Sequence, residues 1–519
     1  MTIRPDRRPE NRRPSLFVVS NREPFMHVRQ ADGTIKWTPT TGGVAVALDA
    51  LMRERGGTWI AHGAGDADRV VVDAKDRVAV PPDAPAYTLK RIWLSAEEER
   101  RYYGGFSNEG LWPTCHIAHV RPIFRSEDWA EYRAVNARFA DAIASELADP
   151  SAPVFIQDYH LALVAAELRR RIPGVRTALF WHIPWPHPDR LRICPWRREI
   201  MAGLLANDLL AFQLERDRRN FILCVRDEMP AEIERSVVRM NGHATKIVSA
   251  PIGVDYDRIT RIASDPGQAA EASRLRHDLR LDMPGLDVVG VGVDRLDYTK
   301  GIPERLSAID RLLTRRPELR TSLAFVQVGV PSRSKLESYS AIEKEIDDLV
   351  ADINRRHGDD AEHGPIRYLK SSLKIRRLVA LYRLADFCVV SSLHDGMNLV
   401  AKEFVAARSD EQGALVLSEM TGAAHELTDA LIINPYDVEG CASAIARAIQ
   451  MPADARRGRL RAMRRVGAGH DVFVWASDIL EGLEGLTPAP SLVRGSEVSR
   501  PLPTFRIQRH PFPFGHPRH

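Results

Sequence analysis

Cysteine is scarce and scattered in this chain. The 519 residues hold five, Cys115, Cys194, Cys224, Cys388 and Cys441, an odd number with no CxxC pair. That excludes a disulfide framework and a zinc ribbon and leaves reduced, buried thiols as the expectation. Long apolar runs are missing too: none approaches the roughly 18 residues that would cross a bilayer, so no membrane association is expected. The start, "MTIRPDRRPENRRPS", is basic but has no apolar stretch behind it, so it does not read as a secretory signal, and the cytoplasm is the expected compartment. Neither charge sign dominates. Lys and Arg number 73 against 69 Asp and Glu, a formal net charge of +4, which is not the field a nucleic-acid binder needs. There is no Walker or GxGxxG pattern and no short fixed repeat, which sets aside P-loop enzymes, standard dinucleotide sites, solenoids and propellers.

What is present is a globular balance, with 44% hydrophobic and 27% charged residues, in a chain long enough for two lobes. Residues 1–14 and 487–519 are rich in Pro and Arg without apolar periodicity and read as flexible tails. Between them, buried strands alternate with helical patterns. "SLFVVSNR" leads to "GGVAVALDALMRER", "APVFIQDYH" to "LALVAAELRRRI", and "RTALFWHIPWP" to "RREIMAGLLANDLL". Such alternation predicts βαβ units and a parallel sheet. Residues 256–284 turn polar and helical, after which "LDVVGVGV" restarts the pattern, so the spacing predicts one lobe over 15–255 and a second over 256–469. The helical spacing of "HDVFVWASDILEGLEGL" predicts a last helix, 470–486, able to cross back to the first lobe. Two doubly wound lobes would hold ligands in the cleft outside the carboxyl ends of their strands.

The stretch "SSLHDGMNLVAKEFVAAR", residues 391–408, reads as strand, turn and helix. The free amides near Asn398 and Leu399 suit a phosphate, and Glu403, one turn on, is placed to accept hydrogen bonds from a vicinal diol such as a ribose. Taken alone, Asp395 serves equally as a helix cap and Glu403 as a solvated surface residue. In "VGVDRLDYTKGIPER", residues 291–305, a strand end sets Arg295 and Lys300 in the next loop, two cations suited either to a diphosphate leaving group or to surface ion pairs. His182 with His187 makes a poor metal pair, because prolines break any helical face between them.

With "SNR", "YYGGFSNEGLWP", "QDYHLALV", "HIPWP", "DRLDYTKGIPER", "DGMNLVAKE" and "ELTDALIINPYD" in order, the chain resembles the trehalose-6-phosphate synthase family of retaining glycosyltransferases over about residues 15–485. The resemblance implies a GT-B fold, two Rossmann-like lobes around a cleft. It also implies a nucleotide sugar donor, usually UDP-glucose, a sugar-phosphate acceptor, and no metal or other cofactor. Carried over position by position, Arg295 and Lys300 grip the donor diphosphate and Gly42 and Gly43 lie beside the donor. Asp395, Gly396, Met397, Asn398, Leu399, Val400, Ala401, Lys402 and Glu403 form the donor-binding stretch, with Leu373 lining the base pocket. Arg22, Tyr103, Trp112 and Arg333 clasp the acceptor phosphate, Asp158 contacts the acceptor sugar, and His182 lies near the transferred glucose. Asp158, His182, Arg295 and Lys300 are the implied catalytic set.

Three features depart from the common family pattern, each expected to touch the cleft. The segment 24–41 is longer than in compact members and is expected as a loop over the acceptor. Trp181 and Trp185 stand where Leu and Phe are usual, and His394 where Arg is frequent. Other phosphorylated acceptors, such as glycerol 3-phosphate or a cyclitol phosphate, and a sugar-phosphate sensor without turnover are the competing readings. The sequence leaves oligomeric state open, a homo-oligomer included. No early "DxDxT" phosphatase signature occurs, so removal of the product phosphate falls to a separate phosphatase.

Overall fold

Two sheets organise the chain. The computed structural model describes residues 15–40, 43–333, 336–358 and 364–486. The two tails and Gly42 lie outside the described residues. The first sheet is built from β1 (Leu16–Arg22), β4 (Gly57–His62), β5 (Arg77–Val80), β6 (Tyr87–Ile92), β7 (Pro153–Gln157), β8 (Arg176–Trp181), β9 (Leu209–Phe212), β10 (Glu232–Glu234), β11 (Val237–Met240) and β12 (His243–Ser249). A separate hairpin pairs β2 (Phe25–Arg29) with β3 (Ile35–Pro39). The second sheet holds β13 (Val288–Arg295), β14 (Leu323–Val330), β15 (Ile366–Leu369), β16 (Phe387–Val390), β17 (Ala414–Ser418) and β18 (Leu431–Ile433).

Strand order places the functional loops. The second sheet runs β15-β14-β13-β16-β17-β18 and is parallel throughout. Its winding reverses between β13 and β16, and a crevice opens at such a switch point outside the carboxyl ends of the strands. The loops that leave there carry Lys300 and Asp395. The first sheet runs β10-β11-β12-β9-β8-β7-β1-β4-β6-β5 and reverses at β1, between β7 and β4. Arg22 ends β1, and Asp158 follows β7.

Three expectations need correction. The first sheet is mixed, with antiparallel edges at β5–β6 and β10–β11–β12. Short charged edge strands of this kind close a sheet against further pairing. The helix expected to run through "RREIMAGLLANDLL" stops at Leu204, and Leu209–Phe212 is a strand between β8 and β12. Asn207 and Asp208 break the helical register, and the fully buried run that follows takes the sheet. Within the segment expected as a loop, residues 25–39 form the β2–β3 hairpin.

The helix Val472–Glu484 closes the structure. Asp471 caps it by accepting from the amides of Phe473 and Val474. Its buried face, Trp475, Ile479, Leu480 and Leu483, belongs to an apolar cluster that also holds Leu16, Val18 and Phe180 of the first sheet and Val289, Val291 and Val326 of the second. Trp475 packs edge-on against Phe180, with ring centroids 4.9 Å apart. Each such side chain contributes about 1.5–3 kcal/mol by burial, so the final helix ties the two lobes together. No helix among the described residues is long and apolar enough to cross a membrane.

Candidate active site

On the first lobe, residues 100–111 wind as a π-helix. Its wider turn is braced by side chains reaching carbonyls five residues back: Ser107 Oγ donates to Tyr102 O at 2.8 Å and Asn108 Nδ2 to Tyr103 O at 2.6 Å. Such windings are rare and concentrate at functional sites. Here the winding delivers Tyr103 and, just beyond it, Trp112. The Tyr103 hydroxyl accepts from Arg22 Nη2 at 3.3 Å and from Arg333 Nε at 3.4 Å. Arg333 also donates to the hydroxyls of Tyr339 at 2.5 Å and Tyr159 at 3.2 Å, with its guanidinium carbon 4.3 Å from the Trp112 ring centroid. Burial pushes the Tyr103 phenol up, but Arg333 and Arg22 outweigh it and bring it down to about 7. Arg333 has a positive φ of 55°, a costly conformation for a non-glycine residue and one that aims its side chain across the cleft.

Arg295, at the end of β13, lies on the same indole: its guanidinium carbon is 5.5 Å from the Trp112 centroid, and its Nη2 is 3.9 Å from Asp297 Oδ2. Trp112 is thus shared by the guanidiniums of Arg295 and Arg333. Its indole nitrogen is buried with no protein partner, a donor left over for a ligand. Lys300 Nζ donates to Asp395 Oδ2 at 2.6 Å. Burial alone would raise the Asp395 carboxyl, yet Lys300 and the Asn398 amide hold it at about 2. Asp395 is therefore the ionised partner of Lys300. The helix Leu399–Ala407 is capped instead by Asn398, whose Oδ1 accepts from Ala401 N at 3.1 Å. The amides of Leu399 and Val400 lead that helix at the positive end of its dipole.

Glu403 is not a solvated surface residue. It is half-buried, accepts from the Tyr382 hydroxyl at 3.2 Å, and burial pushes its carboxyl up to about 7. Leu373, Leu399 and Val400 line up as partly buried apolar side chains on one cluster. Gly43 opens the helix Gly43–Arg55. The structure does not bring Met397, Ala401 and Lys402 into this group: all three side chains are buried inward. Lys402 Nζ reaches Ile252 O and Glu426 Oε1, both at 2.7 Å, because the helix turns that face to the interior.

Between the clusters lie Asp158 and His182. Asp158 has φ 76° and accepts from the His182 backbone amide at 3.1 Å, and burial pushes its carboxyl up to about 7. The His182 ring contacts Gln157 Oε1 through Nε2 at 2.9 Å and is kept neutral by burial, its pKa near 3. The His182 carbonyl touches the other lobe, where a Cβ placed on Gly396 would lie 2.4 Å from it. Glycine is the residue that this approach admits. Among the described residues no three His, Cys, Asp or Glu side chains converge as a metal-binding group.

Several contributors had no distinct signal. Tyr159 and His160 sit in "QDYH", where Asp158 drew attention first, although His160 stacks on Tyr103 with centroids 5.4 Å apart. Tyr339 and Tyr382 lie on helices whose periodicity marks them only as core. Trp181 and Trp185, expected at the cleft, are fully buried in the first lobe, Trp185 donating to Cys224 Sγ at 3.4 Å. His394 does reach across the cleft. Its Nδ1 accepts from the Ile117 amide at 3.1 Å, while the Ile117 carbonyl accepts from the Tyr436 hydroxyl at 3.5 Å.

The glycosyltransferase family 20 model matches residues 14–485. The chain belongs to glycosyltransferase family 20. Among family 20 relatives, the trehalose-6-phosphate synthase of Mycobacterium marinum is 38% identical over 485 residues, covering 92% of this chain and 95% of that protein. An α,α-trehalose-phosphate synthase (UDP-forming) from Burkholderia xenovorans, solved with glucose 6-phosphate, superposes with a TM-score of 0.80 at 32% identity, covering 91% of this chain and all of that one. An E. coli structure bound with UDP-2-fluoro glucose gives a TM-score of 0.80 at 31% identity over 91% of this chain and all of that one. The two sheets, the cleft and the returning helix are thus the GT-B arrangement of this family.

Two expected outcomes follow from the geometry. Gly396→Ala places a methyl group inside the His182 carbonyl contact, so small-angle scattering should report parted lobes and turnover should fall about 100-fold, the scale of misplacing a reacting group by an ångström. Unchanged turnover would show the contact to be yielding. Glu403, being raised to about 7, is mostly protonated at pH 6 and ionised at pH 8. A role as acceptor from the ribose therefore makes UDP bind about tenfold more weakly at pH 6 than at pH 8, a difference that calorimetry should find abolished in Glu403→Gln.

Proposed function

We propose that this chain transfers a glucosyl unit from UDP-glucose to glucose 6-phosphate with retention, yielding α,α-trehalose 6-phosphate and UDP. The observation that carries the reading is the pair of cation groups around Trp112, Arg22 with Arg333 and Arg295 with Lys300, of which Arg22 alone stands on the first lobe while the other three follow strand ends of the second. Two anionic substrates meeting head to head need such a pair. The likeness to structures holding glucose 6-phosphate in one case and UDP-2-fluoro glucose in the other supports the same assignment.

In this reading, Arg22, Arg333 and Tyr103 take the acceptor phosphate, forked guanidinium donors matching its oxygens. Asp158 holds the acceptor sugar and the neutral His182 borders the transferred glucose. Asp395, Gly396 and the amides at the helix start hold the donor sugar, Glu403 takes the ribose hydroxyls, and Leu373 borders the base. As the bond from the glucosyl anomeric carbon to the UDP oxygen breaks, charge grows on the β-phosphate. Arg295, Lys300 and the helix amides stabilise that charge. The anomeric hydroxyl of the acceptor attacks from the same face, and its proton passes to the departing phosphate oxygen, so no covalent intermediate is required. We place the enzyme in the cytoplasm, a setting supported by its five free, buried cysteines, and assign the product phosphate to a separate phosphatase.

Product analysis by mass spectrometry and NMR, with UDP-, GDP- and ADP-glucose against a panel of phosphorylated acceptors, tests the reading. A 1,1-linked α,α disaccharide phosphate from UDP-glucose is the expected product, and turnover confined to another acceptor would overturn it. Arg295→Ala should lower kcat/KM about 100- to 1,000-fold without loss of melting temperature; a folded, fully active R295A enzyme would refute the diphosphate role.

A further inference from the structure

The hairpin that follows Arg22 is fastened at its base. Arg22 enters the cleft at the end of β1, and the chain then runs out through β2 and back through β3 before Gly43. At the base of that excursion the strands are fastened together: Thr40 N donates to Pro24 O at 2.8 Å, and the Thr40 hydroxyl donates to the Glu23 carbonyl. The base is also fastened inward. Glu23 Oε2 accepts from Arg91 Nε at 2.7 Å and its Oε1 from the Ala64 amide at 3.0 Å. Arg91 Nη2 reaches Phe25 O at 3.0 Å and Asp68 Oδ1 at 2.8 Å. Asp68 in turn accepts from the His27 amide at 2.8 Å, and the Ala67 amide donates to His27 O at 3.1 Å.

This is an unusual amount of charge to bury. The side chains of Arg91 and Asp68 are 0% exposed and that of Glu23 is 2% exposed. The groups facing one another are Glu23, His27 on β2, Asp68 and Arg91 on β6. Burial and a hydrogen bond with Asp68 raise the Glu23 carboxyl while Arg91 opposes the rise, and burial lowers the His27 imidazole. Buried ionic clusters add little net stability compared with apolar packing, and their best-attested use is to fix one geometry. The geometry fixed here is that of the residue next to Arg22.

We propose that Glu23 is a positioning residue for the acceptor: held by Arg91 through its side chain and by Thr40 through its carbonyl, it fixes the backbone from which Arg22 reaches the acceptor phosphate. The inference rests on the assignment of Arg22 to that phosphate made above.

Steady-state kinetics of Glu23→Gln, Thr40→Val, Arg22→Ala and the double variant Arg22→Ala/Glu23→Gln, with each substrate varied in turn, test it. E23Q and T40V should each raise the KM for glucose 6-phosphate about tenfold, leaving the donor KM and kcat within about twofold. In the R22A background E23Q should add nothing further, since residues acting as a unit are non-additive. Fold-changes that multiply, or a lowered melting temperature with unchanged acceptor KM in both E23Q and T40V, would leave the cluster a merely structural anchor and overturn the proposal. An unchanged acceptor KM in R22A alone would refute the phosphate assignment and this proposal with it, even if faster amide hydrogen exchange over residues 24–40 in E23Q showed the anchor itself to be real.

Discussion

The cleft depends on backbone packing closer than side chains allow. Gly396 lies against the His182 carbonyl, and a Cβ on Gly422 would lie 2.1 Å from the Gly396 carbonyl. The Ala423 amide donates to Met397 O at 2.8 Å, and the Asp395 amide to Met420 O at 3.1 Å. The donor-side turn is thus compressed between the other lobe and the loop after β17. With that turn fixed, Asp395 points at Lys300, Asn398 caps its helix in a left-handed conformation, and the leading amides of the helix face outward. The order of these elements in the sheet supplies the crevice, and the missing side chains let its two walls come together.

The cations of the cleft are answered by acidic groups of the protein itself. Tyr103, brought down to about 7, answers Arg22 and Arg333, and the ionised Asp395 answers Lys300. Asp297, held below the ordinary carboxylate range although burial works against it, answers Arg295 and Arg333. This pairing lets the Arg333 guanidinium stay buried without the cost of an uncompensated charge.

Much of this was legible in the sequence because buried parallel strands announce themselves by unbroken apolar runs. β1, β7, β8 and β13 all stood out, as did the returning helix with its spacing of Val472, Trp475 and Ile479. Edge strands did not: Glu232–Glu234 and Arg77–Val80 are short and charged, with no apolar alternation to find. The hairpin at 25–39 was hidden for a related reason, since buried charged groups and one anchoring ring, Phe25, hold it down without a continuous apolar face. Site residues were readable where they follow a strand end, as Arg22, Asp158, Arg295, Lys300 and Asp395 do. Those delivered by helices, such as Tyr339 and Tyr382, look like core positions until the fold brings them to a guanidinium or a carboxylate. Lys402 shows the converse case, a charged residue inside the motif whose helical phase turns it to the interior.

The contact across the cleft at Ile117 is made by main-chain atoms on one side and side chains on the other. His394 takes the Ile117 amide and Tyr436 holds its carbonyl. Replacing the Ile117 side chain leaves both bonds available, and only proline there would delete one. At this contact, then, exchange of the Ile117 side chain is nearly silent, while positions 394 and 436, and His116 and His119 whose rings pack against them, set how firmly it holds.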